Sequence, residues 1–317
     1  MGLKKNKTIE TAASAKSLEV KISGITFKNP VILASGTCGY GEEISQFIDL
    51  NSLGGITTKG ISLEPKSGNS PVRICETASG MLNSIGLENV GVKRFIAEKI
   101  PFLRRFKTNI IVNIFGNTIE EYAQTAKQLS DAGGIDAIEI NASCPNVKKG
   151  GMEFGKSSEG ITRLVEKVKE VSCVPVFIKL SPNVSDIAEL ARAAESAGAD
   201  GVSLINTLVG MAIDIKRKKA VLSTATGGLS GPAIKPVALA MVWKVKNAVK
   251  IPIIGMGGIM NSRDALEFII AGATAIETGT ANMVNPYAVI EIIKGMTQFL
   301  KDEKLSSINM LAGTLKT

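Results

Sequence analysis

The stretch Asn141-Ala-Ser-Cys144-Pro-Asn-Val-Lys-Lys-Gly-Gly151 carries the clearest chemical signal in the chain. It follows the apolar run Asp136-Ala-Ile-Glu-Ile-Asn141, so Cys144 is expected on a loop just past the C-terminal end of a strand. The chain has no histidine. The side chain that most often moves protons near neutral pH is therefore missing, and acid–base work falls to Cys, Lys, Tyr or a carboxylate. The bland alternative is that Cys144 is a small buried hydrophobe. Its place on a polar, glycine-rich loop, outside any apolar run, favours the chemical reading.

The elements that must position this loop follow from pattern and length. The 317 residues are 44% hydrophobic with 32 glycines and only 4% aromatics. This composition suits an α/β core of Ile, Val, Leu and Ala. Short apolar runs at 31–35, 55–59, 109–115, 137–142, 174–180, 201–206, 251–255 and 275–279 read as strands buried on both faces. Amphipathic helical patterns alternate with them at 118–132, 157–171, 185–197, 236–249, 262–271 and 286–300, with Gly198 and Gly272 as C-terminal stops. Eight strand–helix units in about 250 residues predict an α/β fold, a (β/α)8 TIM barrel. A doubly wound open sheet is the alternative, but no GxGxxG follows the first strand. Residues 18–27 read as an N-terminal hairpin closing the barrel bottom, and 207–234 as an extended loop insertion after strand 6. Residues 1–18 form a polar N-terminal tail, and 19–317 a single domain.

The remaining composition narrows the function classes. Four cysteines (38, 75, 144, 173) form no CxxC pair, so no metal site is expected, and their sparseness predicts a reducing, cytoplasmic setting. The net charge of +8 is spread along helix faces without interleaved aromatics, which argues against nucleic acid and fits a small anionic ligand. No apolar run is long enough to span a membrane.

Barrel enzymes place their chemistry at the C-terminal strand ends. Those ends carry Ser35, Lys59, Asn113, Asn141, Lys179, Asn206-Thr207, Gly257-Gly258 and Gly279-Thr280. Glycines closing strands seven and eight mark a phosphate cradle, where backbone N–H groups and a following helix N-terminus favour the anion. Lys59 and Lys179 are costly to bury unpaired. They read either as members of structural ion pairs or as partners of an anion such as a reduced flavin ring or a substrate carboxylate. Asn113, Asn141 and Asn206 present both donors and acceptors, matching the alternating edge of a pyrimidine or an isoalloxazine. Asn83-Ser-Ile-Gly-Leu87 lies on the long connection after strand two, within reach of the same face.

Six stretches together resemble the catalytic subunit of class 1B dihydroorotate dehydrogenases, the NAD-linked, flavin-containing branch. They are Ala34-Ser-Gly-Thr37, Thr58-Lys-Gly-Ile-Ser-Leu-Glu-Pro-Lys66, Asn83-Ser-Ile-Gly-Leu87, Asn141-Ala-Ser-Cys-Pro-Asn146, Asn206-Thr-Leu-Val-Gly-Met-Ala-Ile213 and Gly227-Gly-Leu-Ser-Gly-Pro-Ala-Ile-Lys235. They span roughly 19–300 in order; Cys38 stands where an aromatic is expected, and Ser84 where alanine is common. The resemblance implies one FMN across the barrel mouth, with Ser35, Lys59, Gly60, Asn113, Asn141, Lys179, Ile205 and Gly231 around its ring and ribityl chain. Gly257, Gly258, Gly279 and Thr280 would hold its phosphate. Dihydroorotate would lie over the ring, against Lys59, Asn83, Ser84, Ile85, Gly86, Leu87, Asn141, Asn206 and Thr207. Cys144 would take the C5 proton while hydride passes from C6 to flavin N5, with Gly150-Gly151 as the hinge of a closing loop.

The resemblance further implies a homodimer within a heterotetramer. Its second subunit would carry FAD and a 2Fe-2S cluster and pass electrons to NAD+. Two rivals compete. A dihydropyrimidine dehydrogenase-like barrel shares the Asn-x-Ser-Cys-Pro loop but acts on uracil or thymine, which lack the carboxylate that Lys59 would meet. A non-redox barrel binding a sugar phosphate could use Lys179 as a Schiff base.

Overall fold

The structure, a computed structural model, describes residues 18–142 and 154–316. The first strands are β1 (Val20–Ile22), β2 (Ile25–Phe27), β3 (Val31–Leu33), β4 (Gly55–Thr57), β5 (Ile74–Thr77) and β6 (Gly80–Asn83). Then come β7 (Asn109–Ile114), β8 (Ala137–Asn141), β9 (Val176–Lys179), β10 (Gly201–Leu204) and β11 (Leu208–Met211). The last are β12 (Ile213–Asp214), β13 (Lys219–Ala220), β14 (Thr226–Ser230), β15 (Ile253–Met256) and β16 (Ala275–Thr278).

Eight of these close a parallel barrel in the order β3-β4-β7-β8-β9-β10-β15-β16. Every residue of β3, β4, β9, β10, β15 and β16 is buried, because helices cover the outside and side chains fill the inside. β9 and β15 start two residues later than the apolar runs do. Pro175 and Pro252 precede them, and a proline has no N–H for the ladder. Each still accepts through its carbonyl, Pro175 from Ile138 and Pro252 from Val202.

The expectation of a helix after every strand needs correction at the first unit. There the connection carries only single 3-10 turns, Ile44–Gln46 and Leu50–Ser52. Gly36, Gly39 and Gly41 all take positive φ, which breaks any helical run. The other helices lie close to their expected spans: Ile119–Ala132, Ser158–Lys169, Ile187–Ser196, Lys235–Lys246, Ser262–Ala271 and Ala288–Asp302. Thr118 caps the first of these by accepting from the Glu121 N–H at 3.2 Å.

β1 and β2 pair antiparallel, with Val20, Ile22 and Phe27 buried. Asn109, at the start of β7, donates to the Thr26 carbonyl, and Ser23 donates to that of Asp200, just ahead of β10. The hairpin therefore lies across the N-terminal ends of the barrel strands. At the opposite end the two long connections merge. β5 and β6, from the connection after the second barrel strand, join β11 and β14, from the insertion after the sixth, in an antiparallel sheet ordered β11-β14-β6-β5.

Candidate active site

The barrel's C-terminal end collects the polar residues singled out above. Ser35 follows β3, Lys59 and Gly60 follow β4, and Asn113 lies within β7. Asn141 and Lys179 end β8 and β9, and Ile205, Asn206 and Thr207 follow β10. Three amides form a connected rim. Asn206 Nδ2 donates to Asn141 Oδ1 at 3.4 Å, while Asn206 Oδ1 accepts from the Thr207 N–H at 2.8 Å. Asn83 Nδ2 donates to the Gly228 carbonyl at 3.3 Å, and a Cβ on Gly228 would overlap Thr207 Oγ1. The β5–β6 connection is thus fastened to the rim through the inserted sheet. Behind Asn141, the Tyr122 hydroxyl on the Ile119–Ala132 helix donates to its carbonyl at 2.8 Å.

Cys144 and the expected hinge at Gly150-Gly151 lie outside the described residues. The ends flanking them are held together: a Cβ on Gly155 would lie 2.2 Å from the Ala142 carbonyl oxygen, so the two backbones are in direct contact.

The three turns expected to hold a phosphate lie against one another. Gly231, Gly257 and Gly258 all take positive φ. A Cβ on Gly258 would lie 2.9 Å from the Gly231 carbonyl oxygen, and one on Gly231 would lie 3.5 Å from Thr280 Cγ2. Thr280 Oγ1 donates to Ser230 Oγ at 2.9 Å, which ties β16's end to β14's. The following helices contribute less than expected. That after Gly279 has only five residues, Thr280–Val284, and Ser262–Ala271 starts beyond Gly258 under its own cap, Asn261.

Whether these residues fit a flavin is tested by their buried hydrogen-bonding groups. Asn113 is 1% exposed; its Nδ2 donates to Glu139 Oε1 at 2.7 Å, but its Oδ1 has no hydrogen-bond partner among the described residues. Gly60 leaves that oxygen its space, since a Cβ there would lie 2.8 Å from it. A buried acceptor without a donor costs free energy. A ring N–H at the mouth would satisfy it. The residues fit.

Sequence reasoning missed what lies one layer deeper. Lys179 is held between two buried carboxylates, its Nζ 3.8 Å from Glu139 Oε1 and 3.8 Å from Glu277 Oε2. Glu139 also accepts from Ser203 Oγ at 2.6 Å, and Glu277 from Thr57 Oγ1 at 2.7 Å. The ion-pair reading of Lys179 is therefore realised. The signal was present: each glutamate interrupts an apolar strand, in Ala-Ile-Glu-Ile and Ala-Ile-Glu-Thr.

Burial, and next the Glu139 charge, push the Glu277 carboxyl up from 4.5 to about 8, against the opposing pull of Lys179 and Thr57. The unfolded chain loses this proton near 4.5, whereas the folded chain keeps it to about 8. Between those values the folded state binds more protons, so stability falls as pH rises. Glu277→Gln is expected to remove that part of the decline in melting temperature. An unchanged decline in the variant would assign it to another group.

The family model for dihydroorotate dehydrogenase matches residues 17–300. The chain is 58% identical over 297 residues to the dihydroorotate dehydrogenase B (NAD(+)) catalytic subunit of Desulforamulus reducens, covering 94% of this chain and 98% of the relative. It is 54% identical to the protein of the same name from Thermodesulfovibrio yellowstonii, covering 94% and 99%. For that of Geobacter sulfurreducens the figures are 53% identity, 94% and 98%. Among the described residues, no helix is long and apolar enough to cross a membrane.

Proposed function

The chain belongs to the dihydroorotate dehydrogenase family, and from that premise we propose that it oxidises dihydroorotate to orotate in pyrimidine biosynthesis. The observation that carries this reading is the buried Asn113 Oδ1, without a donor among the described residues and ringed by the ends of six other barrel strands that bear Lys, Asn or Gly. Asn113, Lys179, Ile205 and Gly231 would hold one FMN, with Gly257, Gly258, Gly279 and Thr280 at its phosphate. When bound, the flavin supplies a hydride acceptor.

The chain's own residues do the rest. Lys59 meets the substrate carboxylate as a compact charge. Asn83, Ser84, Asn141, Asn206 and Thr207 supply the paired donors and acceptors that a planar imide requires. The buried hydroxyl of Ser84 has no partner among the described residues and is one such group. Cys144 removes the C5 proton. Lys179, fixed between two glutamates, is poorly placed to form a Schiff base, which weighs against the sugar-phosphate alternative.

Electrons would leave through a partner subunit bearing FAD and a 2Fe-2S cluster and reach NAD+, the catalytic chain forming a homodimer inside a cytoplasmic heterotetramer. The test is anaerobic. Dihydroorotate is expected to bleach the bound flavin stoichiometrically, while dihydrouracil leaves it oxidised. Reoxidation is then compared among NAD+ with the partner present, quinone and fumarate. A colourless protein, or bleaching by dihydrouracil alone, would overturn the assignment.

A further inference from the structure

Thr57, Glu139, Ser203 and Glu277 each precede by two residues a group at the barrel mouth: Lys59, Asn141, Ile205 and Gly279. Strand side chains repeat on one face every two residues, so these four make the layer directly beneath the mouth. Lys179 joins that layer from β9. It contains two carboxylates and one ammonium. Were all three ionised, one uncompensated negative charge would be buried, which is costly. Glu139 is fully engaged by Asn113 and Ser203. Glu277, 1% exposed, has an Oε2 with no hydrogen-bond partner among the described residues, the Lys179 ammonium standing off at 3.8 Å.

We propose that Glu277 is a positioning residue that carries the exchangeable proton of this cluster and so sets how much of the Lys179 charge reaches the ring above. The inference rests on the flavin reading of the mouth. With Glu277 protonated, Lys179 and Glu139 cancel and the layer is neutral. When the proton leaves to solvent, the layer carries one negative charge. A flavin held at the mouth would gain negative charge on reduction, and in a low-dielectric interior the layer beneath would repel that charge. Ionised Glu277 therefore lowers the reduction potential. The other groups facing Glu277 do not titrate with it in this way. Thr57 on β4 only donates a hydrogen bond. Cys38, on the loop after β3, has a thiol pushed up to about 12 by burial first and then by Glu277 and Glu43, so it stays neutral.

The experiment is spectroelectrochemical titration of the flavin-loaded wild type, Glu277→Gln and Thr57→Val on either side of pH 8. Wild type and Glu277→Gln are expected to share one potential at acid pH and to diverge above it, wild type falling lower. A tenfold coupling reads as about 30 mV for a two-electron couple. Thr57→Val removes a hydrogen bond that favours the ionised form, so its divergence moves to higher pH. In flavin-free protein at neutral pH, an infrared band of a protonated carboxyl is expected in wild type and lost in Glu277→Gln. Equal potentials for the two loaded proteins at every pH overturn the proposal. If Glu277→Gln fails to fold, an unshifted Thr57→Val profile overturns it instead. Wild type that binds no flavin sinks the cofactor reading separately; the infrared band then decides alone, and its absence overturns the proposal.

Discussion

Replacing Cys144 by alanine is expected to leave the flavin bound and to lower turnover of dihydroorotate by roughly 10²–10⁴-fold, the usual worth of a positioned general base. Without histidine, the residues able to take a proton near neutral pH are few, and in the sequence Cys144 comes three positions after the rim residue Asn141, which ends β8. A free thiol has a pKa of about 8.5, so a few per cent is thiolate at neutral pH and the rate should climb as pH rises through the thiol titration. In Cys144→Ala that rising limb disappears along with the turnover. Steady-state kinetics across pH, with flavin content read from the visible spectrum, checks both points. Full turnover in a yellow Cys144→Ala protein would remove the cysteine from the mechanism.

Gly258→Val is expected to yield colourless protein. The residue sits at φ +77, where a side chain is strained by about 1–2 kcal/mol. Space is the larger problem: a Cβ would lie 2.8 Å from the Lys235 backbone nitrogen and 2.9 Å from the Gly231 carbonyl oxygen. Neither can swing aside as a side chain tip could, so the turns must separate and the proposed phosphate cradle opens with them. Lys235 gives little relief, since its ammonium is already fixed by Asp264 at 2.6 Å and Glu267 at 2.9 Å. FMN affinity of the flavin-free protein should fall at least tenfold, a loss of about 1.4 kcal/mol or more. Gly198→Ala separates strain from space. Gly198 also has positive φ (+87), but nothing lies within 4 Å of its Cβ position, so that variant should lose some stability and keep its colour. Gly258→Val protein with a full flavin complement would dissociate this turn from the cofactor.

The rest of the site divides by how local its cause is. The end of each barrel strand was legible to within two residues, because burial on both faces writes a continuous apolar run that stops where the chain turns polar. Lys59, Asn113, Asn141, Lys179 and Asn206 could be placed at one face for that reason alone. The first connection was misread as part of a strand–helix unit, because turn-forming glycines there outweigh an amphipathic pattern. The glutamates passed unnoticed inside their strands for a different reason. An acidic residue in an apolar run means little until its partners are known, and those partners come from other strands.

By itself, the sequence determined the barrel and the chemistry-bearing residue types at its strand ends, since both depend on short-range periodicity and residue chemistry. Only the tertiary structure decided that Glu139, Lys179 and Glu277 share one buried layer, and that the connections after the second and sixth barrel strands fuse into one sheet beside the mouth. Those contacts arise when the barrel closes, bringing β16 beside β3 and β10 beside β15. Closure is a property of the whole chain, and no local window of residues contains it.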